Sequence, residues 1–237
     1  MTANYQHPYP SPETAAQFPF EPLQFTYYPT GEMAHRADEF YAEMDTRRSV
    51  RMLTDEPVPL ALIEAAVRTA STAPSGAHMQ PWTFVAICNP ALKQQIRAAA
   101  EEEERVNYLD QRMNDEWRSA LAPLGTDQHK EFLEFAPWLV VLFEQRYGIN
   151  SDGSRRHHYY VKESVGIAAG IFITALHHMG LATLTHTPTP MAFLTRLLGR
   201  PANERPFVLF PIGFPVDGCQ VPSLTRKAVN EVLVTFG

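Results

Sequence analysis

The chain has 237 residues, and 20 lysines and arginines against 26 aspartates and glutamates give a net charge of −6. An acidic chain lacks the broad positive surface that binds a phosphate backbone, so we expect no nucleic-acid partner. A hydrophobic fraction of 45% and a charged fraction of 19% are typical of a folded globular protein with a sizeable core.

Membrane, secreted and disulfide-rich classes are not indicated either. The longest uncharged apolar run, residues 165–176, is too short to span a bilayer, and the opening MTANYQHPYP lacks the basic and apolar pattern of a secretory signal. Cys88 and Cys219 form no CxxC pair, which argues against a disulfide framework and a thiolate zinc site. We therefore expect a cytoplasmic protein.

The first thirty residues differ from the rest of the chain. Residues 1–30 are rich in proline and aromatic side chains, a pattern that disfavours a helix and lacks the alternation of a strand. This predicts an extended N-terminal arm, which is either disordered or lies across another subunit.

From residue 31 onwards helical and strand patterns alternate. Apolar spacing predicts helices over 31–48, 59–72, 89–111, 159–179 and 190–198, with a broken polar helical stretch between them around residues 123–125. Short apolar runs predict strands over 82–88, 137–144, 181–185 and 206–214. This order predicts one domain over residues 31–237, with an α+β or α/β sheet covered by helices.

Missing motifs exclude several reaction classes. The sequence has no GxGxxG, GxxxxGK, GxSxG or HExxH, which argues against dinucleotide-binding, P-loop, serine-hydrolase and zincin activities. Among the histidines, His35 has an acidic neighbour one helical turn away, Glu39, and this pair is typical of a solvated helix surface. No metal site is expected.

An arginine cluster is the first positive signal. Arg47, Arg48 and Arg51 surround Ser49 within five residues. Guanidinium groups bind phosphate oxygens in pairs, so the cluster suits one compact phosphomonoester. The alternative is a solvated helix end that the helix dipole favours.

Two turns beside predicted strands are further candidates. Residues 73–78 precede a strand and contain small residues that let backbone amides approach a ligand, although an ordinary helix-to-strand connection has the same composition. Thr185 and Thr187 follow another strand, where their hydroxyls could reach a bound heterocycle or could simply cap a helix. His186, between them, is open to packing or to proton donation.

A glutamate run carries the last signal. Glu104 and Tyr108 lie one helical turn apart, and Lys130 follows after a short segment. Together they match a zwitterionic amino acid, whereas the rest of the run is expected to face solvent.

These segments together resemble the nitroreductase-fold flavoproteins and, among them, the iodotyrosine deiodinase family. The resemblance extends from about residue 25 to the C-terminus and rests on RRSVR at 47–51, APSGAHMQPWTFV at 73–85, EEEERVNY at 101–108, DGSRRHHYYVKESVGIAAGI at 152–171, LTHTP at 184–188 and VPSLTRK at 221–227. It implies an α+β fold, a three-layer α/β/α sandwich with a mostly antiparallel central sheet, in a homodimer with a lid at about residues 98–131.

The resemblance also implies FMN at the dimer interface and assigns its contacts. The FMN phosphate is expected to bind Arg47, Arg48, Ser49, Arg51 and Arg226. Thr185 and Thr187 would line the flavin ring from the same chain, and Pro74 and Ser75 from the partner chain. Substrate binding is assigned to Ala77 through its backbone N–H, which holds a phenolate, and to Glu104, Tyr108 and Lys130.

The function implied is FMN-dependent reductive dehalogenation of halotyrosines, which turns iodotyrosine into tyrosine and iodide. Thr187 would be the catalytic residue, because a hydroxyl donating to flavin N5 favours sequential one-electron steps. NAD(P)H or a reductase would supply the electrons. The alternatives are a general NAD(P)H-dependent nitro- or quinone reductase and a flavin-storing or flavin-sensing protein without turnover.

Overall fold

The computed structural model describes residues 9–109 and 113–237, and these divide into two compact units, one up to Ala42 and one from Glu43 onwards. The first unit contains helix α1 (Pro12–Gln17) and most of α2 (Thr30–Asp45). Ser11 caps α1 by accepting the Thr14 N–H at 3.2 Å, and Pro12 occupies the first turn, where no N–H is needed. The expectation that the arm contains no helix is therefore wrong for these six residues. The assignment of residues 1–30 as a separate arm stays a prediction.

A four-stranded antiparallel sheet forms the centre of the second unit. The strands are β1 (Trp82–Ile87), β2 (Trp138–Gln145), β3 (Tyr147–Ile149), β4 (Arg155–His157), β5 (Ala182–Thr183) and β6 (Glu204–Gly213). The central sheet has the order β1-β2-β6-β5, with every neighbouring pair antiparallel, and β3 and β4 form a separate hairpin. The four predicted strands are confirmed, and the expected α+β class with them.

Helices cover both faces of this sheet. After α2 the chain forms α3 (Leu60–Ala70), α4 (Pro90–Leu109), α5 (Asp115–Leu121), α6 (Phe132–Phe135), α7 (Val161–His178), α8 (Ala192–Leu197) and α9 (Val229–Val232). The helices that pack on the sheet are α3, α4, α6, α7 and α8. Alternate residues of β2 separate two apolar clusters: Val140 and Leu142 pack with α3 and α7, whereas Leu139, Val141 and Phe143 pack with α4, α6 and α8. This is the predicted three-layer arrangement.

The structure differs from the sequence-based expectation in one helix end and in one hairpin. Helix α2 ends at Asp45, three residues early, because Ser49 and Val50 continue as an extended segment that pairs with Thr183 of β5. The β3–β4 hairpin was not predicted, since strands of three residues are too short for an alternating pattern. Among residues 9–109 and 113–237, no helix has the length and the apolar character needed to cross a membrane.

Candidate active site

The arginine cluster lines a cavity with residues from the C-terminal segment. This arginine cavity has a volume of about 380 Å³. Its lining comprises Arg47, Arg48, Ser49, Arg51, Leu124, Pro222, Leu224, Thr225 and Arg226. All five residues predicted to bind phosphate are thus brought to one place. Four guanidinium groups and no carboxylate in the lining favour an anion, and the volume is within the range of small-molecule sites.

Contacts between distant parts of the chain hold these guanidinium groups in place. Arg226 donates to Asp45 at 2.6 Å and to the carbonyl of Arg47 at 3.1 Å, which ties the C-terminal segment to the end of α2. Arg48 donates to the carbonyl of Pro222. Burial lowers the pKa of Arg51 from its ordinary value, with the nearby Tyr108 acting in the opposite sense. A phosphate group in the cavity would compensate Arg51 for the lost hydration by accepting charge-assisted hydrogen bonds from its guanidinium group.

Residues 185–187, here called the threonine segment, follow β5 and lie beside this cavity. Thr185 lines a neighbouring space of about 330 Å³, which shares Arg47 and Ser49 with the arginine cavity. Because side chains alternate along an extended segment, Thr185 and Thr187 are exposed while His186 between them is buried. The side chains of Thr185 and Thr187 thus point away from the core.

His186 is held from both its backbone and its ring. Its N–H donates to the carbonyl of Leu209 at 2.8 Å and its carbonyl accepts from the Leu209 N–H at 3.0 Å. The ring meets Phe132 edge-on at 5.6 Å, and within the described residues its Nε2 is buried without a hydrogen-bond partner. Burial, and secondarily the charges of Lys130 and Arg51, lower the pKa of His186 to about 3. A neutral ring that packs against Phe132 fits these observations better than a proton donor.

The three residues predicted to recognise an amino acid, here called the lid trio, also come together. Glu104 and Tyr108 lie on the last turns of α4, and the Lys130 ammonium lies 5.6 Å from the centre of the Tyr108 ring. Lys130 donates to the carbonyl of Asp127 and, at 3.3 Å, to Thr126 Oγ1. Tyr108 donates its hydroxyl hydrogen to the carbonyl of Thr126 at 3.2 Å. The loop before α6 therefore folds back over the end of α4.

Opposite charges share this partly buried place. Burial raises the pKa of Glu104, and Lys130 counteracts the shift. Burial lowers the pKa of Lys130, and Glu104 and Asp127 counteract it. Burial also raises the pKa of Tyr108, which remains a hydrogen-bond donor. A ligand with one carboxylate and one ammonium group would satisfy both charges at once.

The Pro-Ser turn, residues 74–80, lies elsewhere in the same chain. The N–H of Gly76 donates to Ser164 Oγ near the start of α7 at 3.3 Å, and a Cβ at Gly76 would come within 2.5 Å of the Tyr159 carbonyl oxygen. Neither Pro74 nor Ala77 lines the arginine cavity or any other cavity lined by Arg47, Arg48 or Arg51 within the described residues. Within one chain, the predicted site residues of this turn therefore lie apart from the predicted residues around the arginine cavity.

The backbone of this turn is strained in a way that points to function. Three residues of the turn have positive φ angles: Ala77 (49°), His78 (54°) and Gln80 (48°). The other non-glycine residue with a positive φ in the described part of the chain is Tyr160 (50°), outside the turn. Such conformations are unfavourable and concentrate at functional sites. Within the described residues the Ala77 N–H makes no hydrogen bond, so this donor is available to a ligand.

Sequence reasoning missed part of the site. It treated Glu101 as solvent-facing, but this carboxylate accepts hydrogen bonds from Arg97 and from the backbone of Lys130. The spacing of Arg97 and Glu101, one helical turn, was the available signal. Pro222, Leu224 and Thr225 were also missed as lining of the arginine cavity, because irregular segments carry no periodic pattern.

Comparisons with known proteins agree on one family. The sequence model of the nitroreductase family matches residues 44–214. An iodotyrosine deiodinase of Haliscomenobacter hydrossis is 50% identical over 217 residues, which are 92% of this chain and 97% of that protein. The iodotyrosine deiodinase of Danio rerio is 45% identical over 223 residues, 94% of this chain and 74% of that protein. A solved structure of oxidized iodotyrosine deiodinase bound to FMN and 3-iodo-L-tyrosine is similar with a TM-score of 0.73 and 29% identity, covering 84% of this chain and 98% of that one.

Proposed function

This chain belongs to the nitroreductase family, in its iodotyrosine deiodinase branch, and we propose that it catalyses the FMN-dependent reductive dehalogenation of halotyrosines. The observation that carries the proposal is the lid trio of Glu104, Tyr108 and Lys130 next to the arginine cavity. A general nitro- or quinone reductase needs the flavin site but has no use for paired charges that match an amino acid. The electrostatic influence of Lys130 on Glu104 supports a zwitterionic substrate.

The arginine cavity fits the phosphate of FMN. Arg47, Arg48, Arg51 and Arg226 supply forked donors, and Ser49 adds a hydroxyl. A mononucleotide phosphate needs no glycine-rich dinucleotide loop, in agreement with the absence of that motif. Thr185, on the neighbouring space, and Thr187 would then contact the flavin ring.

The reaction exchanges a carbon–halogen bond for a carbon–hydrogen bond. Bound reduced FMN supplies two electrons, a proton replaces the halogen on the ring carbon, and the halide leaves with its electron pair. Thr187 would donate a hydrogen bond from its hydroxyl to the flavin ring, and this role of Thr187 is the catalytic assignment that we propose. Replacing it with Ala should leave the FMN content unchanged and slow iodide release more than nitro-group reduction by hydride transfer.

Substrate recognition would use both ends of the halotyrosine. Lys130 and Tyr108 would bind the α-carboxylate and Glu104 the α-ammonium, while the Ala77 N–H binds the phenolate oxygen. Because a halogen makes the phenol more acidic, a site that binds phenolate selects halotyrosine over tyrosine. Closure of the lid over the ring would exclude water from the flavin.

A homodimer would complete the site. The Pro-Ser turn contacts Ser164 and the end of α2 contacts His177, two positions of α7 that are about 20 Å apart at 1.5 Å per residue. One chain therefore presents its turn and its arginine cavity at opposite ends of one helix. The exposed apolar side chains of the C-terminal segment, among them Val234 and Phe236, supply a surface for a second copy.

One experiment tests the proposed function. The purified protein should be yellow and, after reduction with dithionite, should release iodide from iodotyrosine. Flavin fluorescence should be quenched by iodotyrosine at lower concentration than by tyrosine or 2-iodophenol. Glu104→Gln should weaken this selectivity, whereas Glu102→Gln, at an exposed residue that pairs with Arg105, is the matched control.

Three other results would contradict the proposed function. A colourless protein that takes up no added FMN would refute the flavin assignment. Rapid NAD(P)H-dependent reduction of nitroaromatics without iodide release would identify a general reductase, and tight FMN binding without turnover would identify a flavin-binding protein. NAD(P)H or a reductase as electron donor, and a cytoplasmic location, stay predictions.

A further inference from the structure

Four charged residues fasten α4 to the segment around α6. Arg97 Nε donates to Glu101 at 2.9 Å, Arg97 Nη1 donates to Glu134 at 3.0 Å, and Arg97 Nη2 lies 3.6 Å from Glu131. Glu101 belongs to α4, whereas Glu131 and Glu134 lie beside and within α6. We call these four residues the lid brace. Arg97 is its centre, because it contacts all three carboxylates.

The lid brace reaches Lys130 of the lid trio through one hydrogen bond. Glu101 Oε1, which accepts from Arg97, also accepts the backbone N–H of Lys130 at 2.8 Å. Lys130 is 2% exposed, and its ammonium is held by the Asp127 carbonyl and by Thr126 Oγ1. The position of the Lys130 backbone, and with it the reach of its ammonium, therefore depends on Glu101.

Partial burial makes the contact between Arg97 and Glu101 stronger than an ordinary surface ion pair. The side chains of Arg97 and Glu101 are 24% and 27% exposed, so solvent screens the pair less than it screens a fully exposed one. Burial alone would raise the pKa of Glu101, but hydrogen bonds from Lys130 and Arg97 outweigh it and lower the pKa. Glu101 thus stays a charged acceptor at neutral pH.

We propose that Arg97 and Glu101 are positioning residues for substrate specificity, which hold Lys130 where its ammonium meets the α-carboxylate of an amino-acid substrate. A lysine whose backbone N–H and ammonium are already held by the protein loses less rotamer entropy when a ligand binds it than a free lysine side chain does. None of the four lid-brace residues lines the arginine cavity or the neighbouring space at Thr185. The lid brace therefore acts on substrates with an amino-acid end and leaves other halogenated phenols unaffected. The inference rests on the proposed function.

The test compares two substrates in the FMN-loaded protein. Iodotyrosine carries the zwitterion and 2-iodophenol lacks it. Glu101→Ala and Arg97→Met should raise the KM for iodotyrosine about ten- to a hundredfold, the range expected when a hydrogen bond to a charged group is lost. The kcat for iodotyrosine and the kcat/KM for 2-iodophenol should change less than about twofold, because neither quantity depends on the contact between Lys130 and a carboxylate.

Two further variants separate positioning from general damage. Glu101→Gln keeps an oxygen that can accept from the Lys130 N–H, so its KM for iodotyrosine should lie much closer to the wild-type value than the raised KM of Glu101→Ala. Glu102→Ala, one residue away and exposed, should match the wild type for both substrates. FMN content and 2-iodophenol turnover report that each variant is folded.

The outcomes distinguish the two proposals. Equal effects of Glu101→Ala on both substrates, an unchanged KM, or a Glu101→Gln variant as weak as Glu101→Ala would each overturn the positioning role. Wild-type protein that binds iodotyrosine but releases no iodide would contradict the proposed function alone. The positioning role can then be tested by comparing the dissociation constants of the variants for iodotyrosine and 2-iodophenol, measured by flavin fluorescence. Wild-type protein that binds iodotyrosine no better than 2-iodophenol would overturn the positioning role as well.

Discussion

His186 makes the stability of this protein depend on pH. It lies between two exposed threonines but is itself 7% exposed, with its ring against Phe132. In the folded protein burial, with the charges of Lys130 and Arg51, lowers its pKa from an ordinary 6.5 to about 3. The unfolded chain thus takes up a proton as the pH falls through 6.5, and the folded protein does not. Stability contributed by the neutral ring is therefore present above pH 6.5 and declines continuously down to about pH 3.

The size of the effect follows from these two values. At pH 5 the unfolded histidine is almost fully protonated and the folded one is neutral, which costs about 2 kcal/mol relative to pH 7. Replacing His186 with Phe keeps a ring of similar shape and removes the titration. We expect the variant to lose about 2 kcal/mol less stability than the wild type between pH 7 and pH 5.

Urea unfolding at several pH values measures this difference. Protein and FMN concentrations are held fixed, because ligand binding and assembly shift apparent stability and the FMN phosphate itself titrates. These contributions are common to both proteins and cancel in the comparison. Parallel pH profiles for the wild type and His186→Phe would show that the reasoning about this buried ring is wrong.

Three further results are expected. Burial raises the pKa of Glu104 and lowers that of Lys130, so the affinity for halotyrosine should begin to decline closer to neutral pH, in both directions, than it would with exposed side chains. Fluorescence titrations at several pH values check this, and Glu104→Gln should reduce the loss of affinity at acidic pH. Arg48→Gln should weaken FMN binding about ten- to a hundredfold by removing a charged donor, and an unchanged Kd in a titration of apoprotein would contradict it. Ser164→Ala removes the acceptor of a backbone N–H in the Pro-Ser turn and should reduce the preference for halotyrosine over tyrosine, which depends on the Ala77 donor, without changing the Kd of FMN.

Local features of the site could be read from the sequence because their geometry depends on short-range spacing. Three arginines and a serine within five residues must lie close together whatever the fold. Thr185 and Thr187 share a side because an extended chain alternates, and Glu104 and Tyr108 share a helix face because four residues make about one turn. The same periodicities predicted the four strands of the sheet and the helices on its faces.

Contacts between distant segments were decided by the tertiary structure. Arg226 reaches the end of α2 through Asp45, and Lys130 reaches α4 through a loop whose path depends on Glu101. The sequence indicated candidate partners through resemblance, but no spacing rule connects residues so far apart along the chain. Packing alone determines which of them meet.

Burial is the other property that the sequence left undecided. His186 and Glu101 are polar residues next to exposed ones; the sequence predicts solvent for Glu101 and leaves His186 open between packing and proton donation. Phe132 and the rest of the α6 segment cover them, so one becomes a neutral ring and the other a charged acceptor. The cost of removing a charge from water depends on every element packed around it, and the sequence by itself specifies only the local geometry of a few neighbouring residues.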